Sequence, residues 1–282
     1  MVPFASALTL RRDLTYIPLL GNIASQKVRK GPVLMENIVR TMACARCPLQ
    51  GMPGLRELDD EQIAYMEDFK TGEIEVDRGE ILIEQGEKLD RLFTLTEGVL
   101  IRYRCLDDGR RQIVNFMFPG DLVGLQSAFD ELSTNSVEAL LKSRVCVFEQ
   151  PRYEGLIAKY PRLGYDVTWL AAKEETALEE HLVALGRRSA KERVAYLAVW
   201  LVERAKEVGM AGEKNRLSLP IRQAQIADML GLSLVHTNRT IKALDRDGLV
   251  IWQPSEIHVP DLEAASDFAN FERRNENARP FI

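Results

Sequence analysis

The stretch Arg222-Gln223-Ala224-Gln225-Ile226-Ala227-Asp228-Met229-Leu230-Gly231-Leu232-Ser233-Leu234-Val235-His236-Thr237-Asn238-Arg239-Thr240-Ile241-Lys242-Ala243-Leu244-Asp245-Arg246-Asp247-Gly248-Leu249-Val250 decides how the rest of the chain is read. Its apolar spacing predicts a first helix over Arg222–Leu230, a turn at Gly231-Leu232-Ser233 and a second helix over Leu234–Asp247. Gly231 is free to take the left-handed backbone that a tight inter-helix turn needs. Ser233 suits the N-cap of the second helix, because its hydroxyl can accept from an otherwise unpaired amide. Ile226, Ala227 and Leu230 can pack on Ile241 and Leu244, and the small Ala227 lets the helices approach. Gly248 stops the second helix. Arg216–Pro220 reads as a strand before the motif, and Leu249–Trp252 with Glu256–Val259 reads as a two-stranded wing after it.

A helix-turn-helix of this kind points to DNA. His236, Asn238, Arg239 and Lys242 fall on the exposed side of the second helix, with Ser233, Val235 and Thr237 beside them. Arg239 can donate two parallel hydrogen bonds to a guanine edge in the major groove, and Asn238 can bond a base edge or a phosphate. Arg222, Gln223 and Gln225 lie at the start of the first helix, where amides and side chains grip phosphate and fix register. The alternative is a basic, solvated helical domain. It does not account for the ordered run of helix, glycine turn, helix, glycine stop and wing.

Around this motif, residues 187–260 carry twelve Lys/Arg against eight Asp/Glu, a net +4, within a chain whose formal charge is −5. Residues 41–186 are acidic, at about −11 by the same counting. A basic reader joined to an acidic sensor suits this division, although +4 is also within ordinary surface charge. The chain has no run of 18 apolar residues, so no membrane span is expected. The apolar stretch Phe4–Leu10 precedes Arg11-Arg12, the reverse of a signal peptide, and a cytoplasmic location is expected.

Between residues 72 and 120 the glycines separate short alternating stretches, among them Leu92–Leu95, Val99–Tyr103 and Ile113–Phe118, with a hairpin at Asp107-Asp108-Gly109. This pattern predicts an antiparallel β barrel or roll closed by Arg144–Phe148. A short helix over Asp59–Phe69 precedes it. Pro161 opens a long helical region in which Leu178, Leu182 and Leu185 form a coiled-coil-like seam, read as a dimer contact because palindromic DNA needs a two-fold partner. The alternative is packing on the roll of the same chain. Gly186 is expected to break this helix, and a further helix is expected over Ser189–Val208. The resulting division is an α+β chain: a mobile tail over 1–43, a sensor roll over 44–160 that includes a cysteine pair, a dimerisation helix over 161–186, a winged helix-turn-helix over 187–260 and a C-terminal tail over 261–282.

On these residues the sequence resembles the CRP/FNR family of bacterial transcription regulators. The carrying stretches are Gln225–Ser233, Asn238-Arg239, Leu244 with Gly248-Leu249-Val250, and, in the roll, Gly98, Gly109 and Phe118-Pro119-Gly120-Asp121-Leu122-Val123-Gly124. The similarity covers about residues 44–260. It implies a cyclic-nucleotide-binding-type roll, a dimer helix, a winged helix-turn-helix, a homodimer on a palindromic operator and contact with RNA polymerase. Two departures qualify it. Val235 stands where the family often has a Glu four residues before the terminal Arg, so it cannot accept from cytosine. Ser133–Glu138 lacks the Arg that clamps a cyclic phosphate, so a cyclic nucleotide is not expected.

The oxygen-sensing branch of that family holds a 4Fe–4S cluster on four cysteines. The resemblance puts Cys44, Cys47 and Cys146 at three of those positions and Pro53, which has no ligand atom, at the fourth. Three readings stay open. One is an iron–sulfur cluster completed by Cys105 or a non-protein ligand. Another is a thiol or disulfide switch at Cys44 and Cys47, favoured by the neighbouring cation Arg46. The third is a set of inert, buried cysteines. The chain has only three His and no second C-x-x-C pair, which argues against zinc. No cluster of acid, base and nucleophile suggests catalysis, and His181 and His258 are isolated. An enzyme with an accessory DNA-binding domain is therefore disfavoured. A regulator that answers a small molecule, or no effector at all, remains as the alternative to a redox response.

Overall fold

The computed structural model describes residues 38–39, 41–126, 132–272 and 278–282. Most of the expected mobile tail, including the basic Lys27–Lys30, lies outside the described residues. Its end does not: β1 (Ile38–Val39) pairs antiparallel with the first long strand of the roll.

Helix α1 (Asp60–Phe69) begins where the sequence requires. Asp59 Oδ1 accepts from the Gln62 amide at 2.8 Å, and Gln62 Oε1 accepts from the Asp59 amide at 3.0 Å, a reciprocal cap. Its apolar face, Tyr65, Met66 and Phe69, is buried. The roll follows as β2 (Lys70–Val76), β3 (Ile81–Ile83), β4 (Arg91–Glu97), β5 (Leu100–Cys105), β6 (Arg111–Met117), β7 (Leu122–Val123), β8 (Ser136–Ala139) and β9 (Ser143–Glu149). One sheet has the order β1-β2-β9-β4-β7 and the other β3-β8-β5-β6, all pairs antiparallel. The closing strand expected over Arg144–Phe148 is thus the inner strand β9. The β5–β6 hairpin turns at Gly109, whose φ of +83° is a backbone conformation that residues with a side chain rarely adopt.

Helix α2 (Tyr153–Lys159) leads into α3 (Pro161–Arg187), which Pro161 starts without loss because its missing N–H would be unpaired there anyway. Helix α3 ends at Arg187, one residue beyond the expected stop at Gly186, and the Arg188 amide donates to Ala184 O at 3.3 Å as its cap. Helix α4 (Ala190–Glu207) is capped by Ser189 and Glu192 and buries Val194, Leu197, Leu201 and Ala205 completely.

The C-terminal module adds β10 (Ala211–Gly212), β11 (Arg216–Leu217), α5 (Gln223–Leu230), α6 (Leu234–Arg246), β12 (Ile251–Trp252) and β13 (Ile257–His258). The wing is a four-stranded sheet, β10-β11-β13-β12, rather than two strands, and the expected strand over Arg216–Pro220 keeps only its first two residues. Pro220 has no N–H for a ladder. The described residues of the expected C-terminal tail are packed. They contain α7 (Leu262–Ala269), capped by Asp261, which packs on α4, and they end with Phe281 and Ile282 buried in the roll domain. One apolar core joins α4, the helix-turn-helix and the lower roll; another joins Leu49, Leu55, Leu58, α1, Cys146, Phe148, Leu163, Phe281 and Ile282.

Candidate nucleic-acid interface

The inter-helix turn is built as its residues demand. Gly231 sits at φ +62°, ψ 34°, the left-handed position, and Ser233 Oγ accepts from the His236 amide at 3.2 Å. Helix α6 is therefore fixed at its start by a cap and at its back by Ile241 and Leu244, which lie against Ile226 and Leu230. The face left outside carries Leu234, Val235, His236, Arg239 and Lys242, all exposed, with Asn238 half-buried beside them. Asn238 Nδ2 donates to Gln223 Oε1 at 2.9 Å, so the two helices present one joined polar edge. Arg222 is exposed at the α5 N-cap.

Two of the expected contacts are corrected. Thr237 is fully buried, and its hydroxyl donates to Ser233 O at 3.0 Å, so it faces the core. Gln225 is also buried, and its Oε1 accepts from the Arg222 amide at 2.8 Å. Both residues lie one helical step off the exposed edge, which a 100° turn per residue carries to the inside. The sequence reading missed Leu234, whose apolar side chain is exposed at the entrance of α6.

The roll touches this module directly. Arg111 of β6 pairs with Asp228 of α5 through Nε and Nη2, both at 2.9 Å, and Gln112 Nε2 donates to Met229 O at 2.9 Å. On the other side of the roll a cavity of about 440 Å³ opens against α3, lined by Met117, Val137, Leu170, Glu174, Leu178 and Leu182 among others. Its cations among the described residues, Arg102 and Arg279, are paired with Glu174 and Asp121. Along α3, Leu178 and Leu185 are half-buried, while Leu182 is 70% exposed and Val183 48%. His181 turns inward instead, its Nδ1 2.9 Å from the Tyr196 hydroxyl of α4.

Cys44, Cys47 and Cys146 converge on one small pocket with Lys70, which the sequence reading did not single out. Cys44 is in a single 3₁₀ turn, Cys44–Arg46, and Cys146 is on β9 opposite Glu73 of β2. Lys70 Nζ donates to Met42 O and, at 3.1 Å, to Glu73 Oε1. Burial pushes the Cys44 thiol up to about 12 and raises those of Cys47 and Cys146, with Lys70 opposing it. Arg46 is exposed, and the cation that acts on Cys44 and Cys47 is Lys70 instead. A four-thiolate cluster does not fit these residues. Pro53 is exposed, beside Gly209 at the end of α4. Cys105 is on the other sheet, its amide bonded to Gln85. Phe281 and Ile282 line the pocket itself. Among the described residues no group of His, Cys, Asp or Glu is arranged to hold a metal ion, and no helix is long and apolar enough to cross a membrane.

Comparison with known proteins agrees with this architecture. A cyclic nucleotide-binding domain matches residues 73–160, and a Crp-like helix-turn-helix domain matches residues 192–264. The chain is 31% identical over 209 residues to the nitrogen fixation regulation protein FixK of Bradyrhizobium diazoefficiens, covering 73% of this chain and 85% of that one. It is 27% identical over 213 residues to the transcriptional activator protein FnrL of Cereibacter sphaeroides, covering 73% and 83%. The solved structure of FixK2 from Bradyrhizobium japonicum superposes with a TM-score of 0.61 at 25% identity, covering 73% of this chain and 99% of that one. These relatives are regulators and not enzymes, in keeping with the lack of a catalytic constellation in the sequence. A roll, a long helix and a capped helix-turn-helix in this order, with such relatives, mean that the chain belongs to the CRP/FNR family of DNA-binding transcription regulators.

Proposed function

We propose that the chain is a cytoplasmic, homodimeric transcription activator whose two α6 helices read the halves of a palindromic operator and which contacts RNA polymerase when bound there. The observation that carries this reading is the solvent-facing edge of α6: Arg239, His236 and Lys242 stand outside a helix whose opposite face is locked into the core. Arg239 supplies the base contact, Asn238 and Gln223 together reach the adjoining edge, and Ser233 and Arg222 lie at the two helix N-termini, where phosphate is favoured. Val235, 62% exposed, offers a methyl surface to thymine and no acceptor to cytosine. Leu178, Leu182 and Leu185 of α3 form the dimer seam. The test is operator binding by fluorescence anisotropy at matched salt. Arg239→Ala is expected to lose about 1–3 kcal/mol of discrimination per half-site while keeping non-specific binding. Unchanged specific affinity would refute the assignment.

The convergence of three thiols on one pocket favours a redox response as the input, one that requires the pocket to open first, because burial keeps the thiols protonated. Operator affinity compared under dithiothreitol and under diamide tests it, and equal affinities would leave the cavity against α3 as the place for an effector.

A further inference from the structure

The described residues after the DNA-binding module lie in two places, one against α4 and one against the roll. Helix α7 packs on α4, and residues 278–282 then run beside Gly54–Arg56. The Arg279 amide donates to Gly54 O at 2.7 Å, and Arg279 O accepts from the Arg56 amide at 2.8 Å, so Arg279 is bound to the stretch after the cysteine pair as a strand would be. Its guanidinium is 2.6 Å from Asp121 Oδ1, at the turn before β7, and the same oxygen meets Arg204 of α4 at 2.9 Å. Asp121 and both arginine side chains are largely buried. Beneath this clamp Gly54 lies against the end of α4, its amide donating to Glu207 O at 2.7 Å.

Two residues further on, Phe281 and Ile282 are 2% and 4% exposed. Both line the cavity that also holds Cys44, Cys47 and Cys146, and both pack with Leu49, Cys146 and Phe148. The Thr94 hydroxyl of β4 donates to Ile282 O.

We infer that Arg279–Ile282 is a strap that plugs the three-cysteine pocket, and that any group attached to those thiols and the plug exclude one another. The pocket is thus a binding site for an apolar dipeptide of this same chain. What happens at the thiols is felt by α4 through Arg279, Asp121 and Arg204. Two observations argue for a built contact rather than a chance one: the paired backbone bonds at Arg279, and a buried three-element ion cluster in which removing one member strands the others. The inference does not depend on what DNA the chain reads.

Alkylation by N-ethylmaleimide, followed peptide by peptide by mass spectrometry, tests it on the full chain. Cys105, half-buried on the other sheet, is the internal control. In the wild type Cys47 and Cys146 are expected to label slowly. In Phe281→Ala/Ile282→Ala they are expected to label about tenfold faster or more, with Cys105 unchanged, because the local opening that exposes them no longer has to expel the plug. Phe281→Leu, which refills the space, is expected to restore protection. Equal rates at Cys47 and Cys146 with and without the plug would overturn the inference. Should the double variant unfold, seen as a parallel rise at Cys105, the reverse measurement on the wild type decides. Hydrogen exchange at the Arg56 and Arg279 amides is expected to accelerate once Cys146 is alkylated, and unchanged exchange in the alkylated chain would overturn the strap.

Discussion

His181 gives the fold a measurable pH dependence. Its ring is buried between α3 and α4, edge-on to Tyr196 at 5.7 Å and to Trp200 at 5.2 Å. Nδ1 has the Tyr196 hydroxyl as partner, and Nε2 is buried with none, so a second proton would have nothing to donate to. Burial first, then the nearby positive charges of Arg102 and Arg188, lowers its pKa from 6.5 to about 4. The folded state therefore holds His181 neutral while the unfolded chain takes up a proton. The associated stability is complete above the unfolded value and is lost as pH falls from 6.5 towards about 4. Between about pH 7.5 and about pH 5 this amounts to roughly 2 kcal/mol, since each pH unit inside the window is worth about 1.4 kcal/mol. The assay is urea unfolding at fixed protein concentration, followed by tryptophan fluorescence, for wild type and His181→Gln. Glutamine keeps a hydrogen-bonding group near Tyr196 and does not titrate. Carboxylates titrate in both proteins and cancel in the difference. The wild type is expected to lose about 2 kcal/mol more than the variant over that range. Parallel pH profiles would refute the reasoning.

Three further perturbations follow from the same contacts. Thr237→Ala is expected to leave operator specificity intact and to cost about 1 kcal/mol of stability, because the hydroxyl bonds Ser233 O inside the module; anisotropy and urea unfolding separate the two effects. Leu182→Glu puts a charge on the most exposed apolar position of α3 and is expected to shift the chain from dimer to monomer in analytical ultracentrifugation; an unchanged mass would remove the seam. Gly54→Ala would set a methyl carbon 2.6 Å from Glu207 Cβ and 2.9 Å from Glu207 O, against backbone that cannot swing away. A loss of about 1–3 kcal/mol and faster exchange at the Arg56 amide are expected; wild-type values for both would show that the contact is not tight.

Much of the fold and of the DNA-reading edge was legible in the residues themselves. The helix after Asp59, the hairpin glycine at 109, the left-handed Gly231 and the Ser233 cap each depend on a few residues of chain. Local geometry decided them before any packing. Arg239, His236 and Lys242 were legible for the same reason, since helical periodicity alone puts them opposite Ile241 and Leu244. Thr237 and Gln225 were misplaced because polar residues near a helix start are read as solvent-facing, while here each satisfies a local backbone group inside the module.

The helix-turn-helix, the roll and the long helix were all readable from the residues, because turns, caps and periodicity are short-range properties. That Cys44, Cys47 and Cys146, from segments far apart in the chain, share one pocket while Cys105 stands on the other sheet follows from packing alone. So does the filling of that pocket by Phe281 and Ile282. Burial and ion pairing between remote segments follow from how the sheets and α4 meet, and no local pattern near Arg279 encodes the position of Asp121 or Arg204.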